Sequence, residues 1–351
     1  MEIGISTFAE TTPDVQTGDT ISHAERLREV VEEIVLAEQV GLDVYGVGEH
    51  HRHDYAASSP AVVLAAAAAL TTKIRLTSAV MILSSADPVR VFQDFATLDG
   101  ISNGRAEMMI GRGSFTESFP LFGYDLKDYE ELFKEKLELL LAIQRSEKVT
   151  WSGKHRAAID NLGIYPRPVQ DPLPIWIGSA GSPESAIRTG ELGLPFVLAI
   201  IGNVLPLDYA MHVQLYKKAA AEAGYELSNL PIASHSHGFI AESNQLAREK
   251  FFPSTYARTN ARAKEKGAPP YHRADYDAAC RFDGALYVGD PETVANKIIH
   301  LRKHVGITRF FLHMPHGTMP HEDVMQAIRL LGTEVAPRVR EEVARWEASN
   351  R

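Results

Sequence analysis

Cysteine is almost missing from this chain: of 351 residues, only Cys280 carries a thiol. That excludes an internal disulfide framework and suits a reducing compartment. Lysine and arginine never gather into a run of five, and the formal net charge is −9. A polyanion needs a clustered basic face, so nucleic acid is not an expected partner. Long apolar runs are lacking too. The most apolar stretch, PAVVLAAAAAL at 60–70, is too short to span a bilayer, which takes about 20 such residues. The opening MEIGISTFAE is acidic and has no extended apolar core, so it does not read as a signal peptide. These absences lead to the expectation of a soluble, cytoplasmic protein with no membrane partner. The apolar content of 45% against 23% charged residues is enough to bury a full core.

What is present is an alternation. Short β-branched runs and helical patterns follow one another from end to end. After a first strand around Ile3 and Ile5, ISHAERLREVVEEIVLAEQVG carries Ser22 and Glu25 at capping-box spacing. Leu27, Val30, Val31, Ile34 and Ala37 follow at helical spacing. LDVYGVG, KIRLTSAVMIL, AEMMIG, PIWIGS, PFVLAI, PIASHSHGFI and RFFLHM read as further strands. A proline follows a capping residue at Ser59-Pro60, Asp87-Pro88, Ser182-Pro183 and Asp290-Pro291, a repeated helix-start signal. Strands alternating with helices imply parallel βαβ units. Eight of them, without a low-complexity linker, favour an α/β fold: a single (β/α)8 TIM barrel over 1–351, rather than an open doubly wound sheet. Two stretches break the rhythm and are expected as loop insertions, 148–174 and 251–286. The second is polar, basic and long enough to be an active-site lid.

In such a barrel, residues just past the C-terminal ends of the strands face the active site. Gly178, Ser179, Ala180, Gly181 and Ser182, in GSAGSPES, carry a strand into a capped helix through small residues. Free backbone amides and the helix dipole make an anion site there; taken alone, Ser182 is simply a helix cap. Arg112, between Gly111 and Gly113 in IGRGSF, supplies a matching cation whose forked donors suit a phosphate. By itself it is an ordinary turn arginine. The histidines of GVGEHHRHDY (His50, His51, His53), of SHSHG (His235, His237) and of HMPHGTMPH (His313, His316, His321) raise the question of a metal. Three or four would have to converge with an open position, and the first strand, ISTF, lacks the H-x-H pair common in metal-dependent barrel hydrolases. No metal is expected. Plain hydrogen bonding at loop starts fits His53, His155, His212 and His300, while a histidine beside a strand end can act as an acid–base group.

Three stretches then converge on a family. GLDVYGVGEHH (41–51), LTSAVMILSSADPVRVFQDFATLDGISNGRAEMMIGRG (76–113) and PIWIGSAGSPES (174–185) together resemble the bacterial luciferase-like, flavin-dependent monooxygenases. GDPETVANKI (289–298) resembles that family's usual penultimate-helix start. The likeness covers nearly the whole chain in order, and 87–105 is its most specific part. It implies a barrel binding FMN at the C-terminal mouth, and a homodimer packed through the second and third helices. It also implies roles: His50 as the active-site histidine; Arg112 as the phosphate arginine; Ser179, Ala180 and Ser182 in the phosphate turn. Glu49, next to His50, would either orient it or form a structural bond nearby. Ala79-Val80 would form a non-proline cis peptide beneath the flavin ring. Ser6, Phe8 and Met81 would line the ring, with Ile200 and Ile201 on the opposite wall. Two positions depart from the light-emitting subunit of the family. Gly111 stands where that subunit has a reactive cysteine, and Pro183 where it has a threonine. A different pocket and substrate are implied.

The activity that the resemblance implies is that of an FMN-dependent monooxygenase. Reduced FMN, drawn if needed from a separate NAD(P)H-dependent flavin reductase, would react with dioxygen to a peroxyflavin that oxygenates a small organic substrate. His50 would hydrogen-bond or protonate at that site, where a pKa near neutrality is useful. Three other readings stay open: a deazaflavin-dependent hydride-transfer oxidoreductase of the same fold, a metal-dependent barrel hydrolase, and a non-catalytic flavin-binding protein.

Overall fold

Strands such as EIGIST and RFFLH are apolar or small nearly throughout, as strands with both faces covered must be. The computed structural model describes residues 1–200 and 205–350. Its barrel strands are β1 (Glu2–Thr7), β2 (Val44–Val47), β3 (Arg75–Ser78), β4 (Ala106–Gly111), β5 (Ile175–Ser179), β6 (Phe196–Ile200), β7 (Ile232–Ile240) and β8 (Arg309–His313). Each pairs in parallel with the one before it. β8 pairs back onto β1, with Glu2 opposite Arg309 and Ser6 opposite His313. The ring therefore closes, as the alternation implied.

Helices fill the crossovers: α1 (His23–Gln39), α2 (Pro60–Ala68), α3 (Pro88–Ser102), α4 (Tyr129–Arg145), α5 (Pro183–Glu191) and α6 (Ala210–Glu222). The Ser22 hydroxyl accepts the Glu25 N–H, and the Asp87 carboxylate accepts those of Val89 and Arg90. Ser59 precedes α2 but makes no side-chain cap, so that start signal rests on Pro60 alone. The expected third strand is divided. β3 ends at Ser78, a cis Ala79-Val80 peptide follows, and the chain pairs again with β4 only at Met81–Ile82.

Neither insertion is mere loop. The first contains an antiparallel hairpin, Lys148–Trp151 against Ile159–Gly163. The second is mostly helical, with α7 (Asn244–Lys266) and α8 (Arg273–Ala279), and leads to a short strand, Tyr287–Gly289, that extends the edge beyond β7. α9 (Pro291–Val305), α10 (His321–Leu330) and α11 (Ala336–Ser349) complete the chain, the last two joined by a π-turn at Leu331–Val335.

Period-two alternation divides the apolar residues into two clusters. Ile3, Ile5, Tyr45, Val47, Met108, Ile110, Phe310 and Leu312 face the helices. Val44, Ala79, Met109, Trp176, Val197, Ala233 and Phe311 form a separate cluster to which seven strand paths contribute one residue each; this is the barrel interior. Below that layer, at the N-terminal ends of the strands, the buried Arg309 pairs with the buried Glu107, which Arg75 also engages. The Arg309 guanidinium lies 4.4 Å from the Trp176 ring. Burial pushes the Glu107 carboxyl up, but Arg309 and Arg75 more than offset it and hold it below the usual range. Removing one partner of such a pair strands the other charge in a dry interior. Arg309→Met should therefore cost about 3–5 kcal/mol of stability, read as a fall in the urea midpoint with an unchanged slope.

Candidate active site

The mouth is built on missing side chains. A β-carbon on Gly46 would lie 2.8 Å from Ala79 Cβ, one on Gly111 3.0 Å from Val80 Cγ2, and one on Gly178 2.9 Å from Val80 Cγ1. Three strands thus leave out a β-carbon so that Ala79-Val80 can lie across them as a flat shelf, cis as expected. Glu49 secures that shelf from the side. Its backbone N–H donates to Val80 O at 3.0 Å, while its carboxylate accepts the Ile82 N–H at 2.7 Å and lies 2.6 Å from His51 Nε2. Both carboxylate oxygens are engaged there. Of the two roles expected for Glu49, the contacts are those of a structural bond that holds the shelf, and none is made to His50.

His50 is buried beside the shelf in a ring of aromatics. Tyr55 stacks on it at 4.3 Å, and Phe8 and Phe115 meet it edge-on at 4.6 and 4.7 Å. Its Nδ1 is buried without a partner. Burial, against the pull of Glu10, pushes the His50 imidazole down to about 3. The near-neutral value expected from the sequence is therefore replaced by a permanently neutral ring, with one donor and one acceptor nitrogen at working pH.

Deeper in, Ser6 joins two histidines from strands on the far side of the sequence. Its Oγ lies 2.7 Å from His235 Nε2 and 3.2 Å from His313 Nδ1, and those two nitrogens are 3.0 Å apart. His237 stacks on His316 at 4.0 Å. Burial pushes His235 down to about 4, and burial with neighbouring imidazoles and Arg258 pushes His237, His313 and His316 well down. Among the described residues, none of these histidines belongs to a group with three ligand atoms within 4.8 Å of one another; Asp128, Glu131 and His155 do.

An anion cradle lies beyond the shelf. Arg112 pairs with Glu130, whose other oxygen is 4.0 Å from Arg188 Nη1. Two guanidinium groups thus share one carboxylate that is itself largely exposed. Burial, then the Arg112 charge, lowers the Arg188 guanidinium, which marks the two cations as close neighbours. The Ser182 hydroxyl caps α5 through the Ser185 N–H and donates to Glu184. Gly181 turns with φ +103°, and Ser179 Oγ is buried with no partner. Arg188 was missed in the sequence. Its signal is the spacing Ser182, Ser185, Arg188, which puts all three on one helix face.

α7 crosses the mouth. Arg258 donates to Tyr55 OH at 2.8 Å and lies 2.7 Å from His316 Nε2, while Arg262 sits 3.9 Å over the Phe115 ring. Arg52 joins Asp54, Glu117 and Glu265, drawing three segments together. Ser6, Phe8, Ala79, Val80, Gly178 and His50 come together at one mouth, with Arg112, Ser179, Gly181 and Ser182 at its anion end. Met81 packs in the strand beside Ile110, and Ala180 is exposed. The Ile200 side chain and Ile201 lie outside the described residues.

A barrel with a glycine shelf, an anion cradle and a histidine at its mouth is the layout of a cofactor-binding barrel enzyme. Residues 1–309 match the luciferase-like monooxygenase family. The chain belongs to that family. It is 29% identical to the N-acetyl-S-alkylcysteine monooxygenase of Bacillus subtilis (strain 168) over 307 residues, 85% of this chain and 87% of that one. The F420-dependent glucose-6-phosphate dehydrogenase of Amycolatopsis mediterranei (strain U-32) is 30% identical over 178 residues, 48% of this chain and 53% of that one. Among solved structures, the monooxygenase RslO1 of Streptomyces bottropensis superposes with a TM-score of 0.81 at 26% identity, covering 96% of this chain and 99% of its own. No helix among the described residues is long and apolar enough to cross a membrane.

The mouth histidines have a measurable signature. In the unfolded chain each titrates near its ordinary value of about 6.5. In the folded chain they stay neutral, down to about 3 for His50 and about 4 for His235. Between those limits the unfolded state binds more protons, so stability falls as pH drops below about 6.5. Glu10, whose carboxyl is raised by burial, works the other way but is a single group. Unfolding free energy from urea titrations should decline through that window by more than about 1.4 kcal/mol per pH unit, the limit for one histidine.

Proposed function

We propose that this protein is an FMN-dependent monooxygenase that transfers one atom of dioxygen to a small organic substrate. The observation that carries the reading is the arginine pair at Glu130 beside the capped start of α5, set at the end of the glycine shelf. The residues fit a phosphate-bearing flavin. The cradle has two cations, the buried Ser179 hydroxyl lacks a partner, and the shelf leaves a flat apolar floor. The flavin, when bound, supplies the redox chemistry with dioxygen.

The chain's own residues do the rest. Arg112 and Arg188 grip the phosphate once Glu130 swings aside, and Ser179, Ser182 and the amides at the start of α5 orient it. Ala79-Val80 supports the ring system, with Glu49 holding the shelf in place. His50, neutral and ringed by Phe8, Tyr55 and Phe115, offers a hydrogen bond at Nδ1 to the reacting region. α7 serves as the lid that keeps water out. Val62 and Leu70, exposed around α2, are the face on which a second copy packs.

The relative named as a monooxygenase that matches 85% of this chain supports this reading, although F420-dependent proteins also share the fold over nearly the whole chain. F420 is the second reading because proteins named as F420-dependent are also similar to this chain. Titration of the protein with reduced FMN and with F420, followed by oxygen uptake, separates the two. Preferential binding of F420 with no oxygen uptake would sink the monooxygenase reading. Arg112→Ala should weaken FMN binding by about 10- to 100-fold, the loss of a charge-assisted hydrogen bond. His50→Ala should leave that affinity in place and reduce turnover by about 100-fold or more; a split the other way reverses the two roles.

A further inference from the structure

Glu10 has no task in the shelf or the cradle, and its one short ionic contact is with the lid helix, where Arg258 Nε lies 3.5 Å from its Oε1. It is fully buried, and neither carboxylate oxygen has a hydrogen-bond partner. Burial raises its carboxyl, against the opposing pull of Arg258, its own backbone N–H, Arg26 and His50. A buried acid of this kind holds a proton more readily than a surface glutamate.

Besides Arg258, Glu10 faces two ways. Toward the barrel interior, His313 Nε2 stands 3.8 Å from its Oε1, and that nitrogen also lacks a partner. Toward the outer wall, a cavity of about 10 Å³ opens between Glu10, Arg26, Glu29, Thr318, Met319 and His321. That is room for about one water molecule among polar groups. His321 closes the far side. Its Nδ1 lies 3.9 Å from Glu29 and 3.8 Å from Glu33, its Nε2 lies 3.2 Å from Glu32, and its side chain is 22% exposed.

We propose that Glu10 is the inner station of a proton path that enters through the barrel wall at His321 and reaches Ser6 and His235 without using the mouth. The proton leaves the Glu10 carboxyl for His313 Nε2, and His313 passes its Nδ1 proton to Ser6 Oγ, 3.2 Å away. The Ser6 hydroxyl gives its own proton to His235 Nε2 at 2.7 Å. Glu10 is recharged across the cavity from His321, which draws on solvent. One proton enters for each delivered, and no electrons move. The 3.8 Å step tightens on loading, as such contacts commonly do. The path answers a conflict in the lid. Arg258, Arg262 and Arg52 fasten α7 over the mouth, yet oxygen chemistry in a dry site still moves protons. That use rests on the monooxygenase reading; the path itself does not.

The test begins on the protein without cofactor. The infrared carbonyl band of a protonated Glu10 is assigned by its loss in Glu10→Gln, or by its displacement in Glu10→Asp should the first variant not fold. Its shift after mixing with D2O then reports how fast Glu10 exchanges its proton. His321→Leu and Glu29→Gln should each slow that shift by about tenfold or more, the lower reach of a positioned proton-transfer group. Exchange as fast as in the parent protein in both variants overturns the path, as does the absence of any Glu10 acid band at mildly acidic pH. In turnover with reduced FMN, His321→Leu should be slowed and restored by imidazole, and loss without restoration overturns delivery. Failure to bind FMN would end the flavin reading but leave the exchange result standing.

Discussion

Closing eight strands into a ring removes the inward-facing ends of those strands from water, and the chemistry of this protein depends on that removal. Desolvation penalises whichever form of a group is charged. The chain answers the penalty differently at the two ends of the barrel. At the floor it keeps the charges and pairs them, Arg309 on Glu107 with Arg75 alongside. At the mouth it gives up the charges, and His50, His235, His237, His313 and His316 are neutral rings. A floor of paired ions makes a rigid base, and neutral imidazoles can each donate at one nitrogen and accept at the other. Groups that can both donate and accept hydrogen bonds therefore sit at the end that α7 crosses.

The parts of this arrangement legible in the sequence are those with local causes. Short apolar, β-branched runs marked the strands, and proline after Asp87, Ser182 and Asp290 marked the helix starts, because both signals lie within a few residues. The stretch 251–286 defeated that reading. RTNARAKEKG has little apolar periodicity, and Pro253 lies inside the helix. α7 is held instead by its neighbours, through Arg258 on Tyr55, Arg262 on Phe115 and Glu265 on Arg52. The three-residue strand at Tyr287–Gly289 is too short to carry a period. Ser59 looked like a cap from its position before Pro60, but the direction of its side chain is not written locally.

The site shows the same division. Arg112, Ser182 and the Ala79-Val80 shelf were reachable from motifs and family resemblance. Arg188 was within reach through helix-face spacing. Glu10 was not, since its burial comes from β1, β8, α1, α7 and the start of α10 meeting around it. Glu49 was assigned beside His50 by adjacency in sequence, yet neighbouring strand-end residues point apart, and its carboxylate turns to Ile82 and His51. Membership of the luciferase-like family fixes the setting in which these groups work, while the two cofactor types used by relatives leave the redox step to the bound group rather than to the fold.

The three absent β-carbons at Gly46, Gly111 and Gly178 have a consequence for redesign. One wall of the pocket is already trimmed to bare backbone, so no substitution there can enlarge it, and any side chain added would collide with Ala79 or Val80. Making room for bulkier molecules has to proceed elsewhere, by thinning Phe115 beside His50 or Arg262 above it, where aromatic and guanidinium bulk can still be carved away.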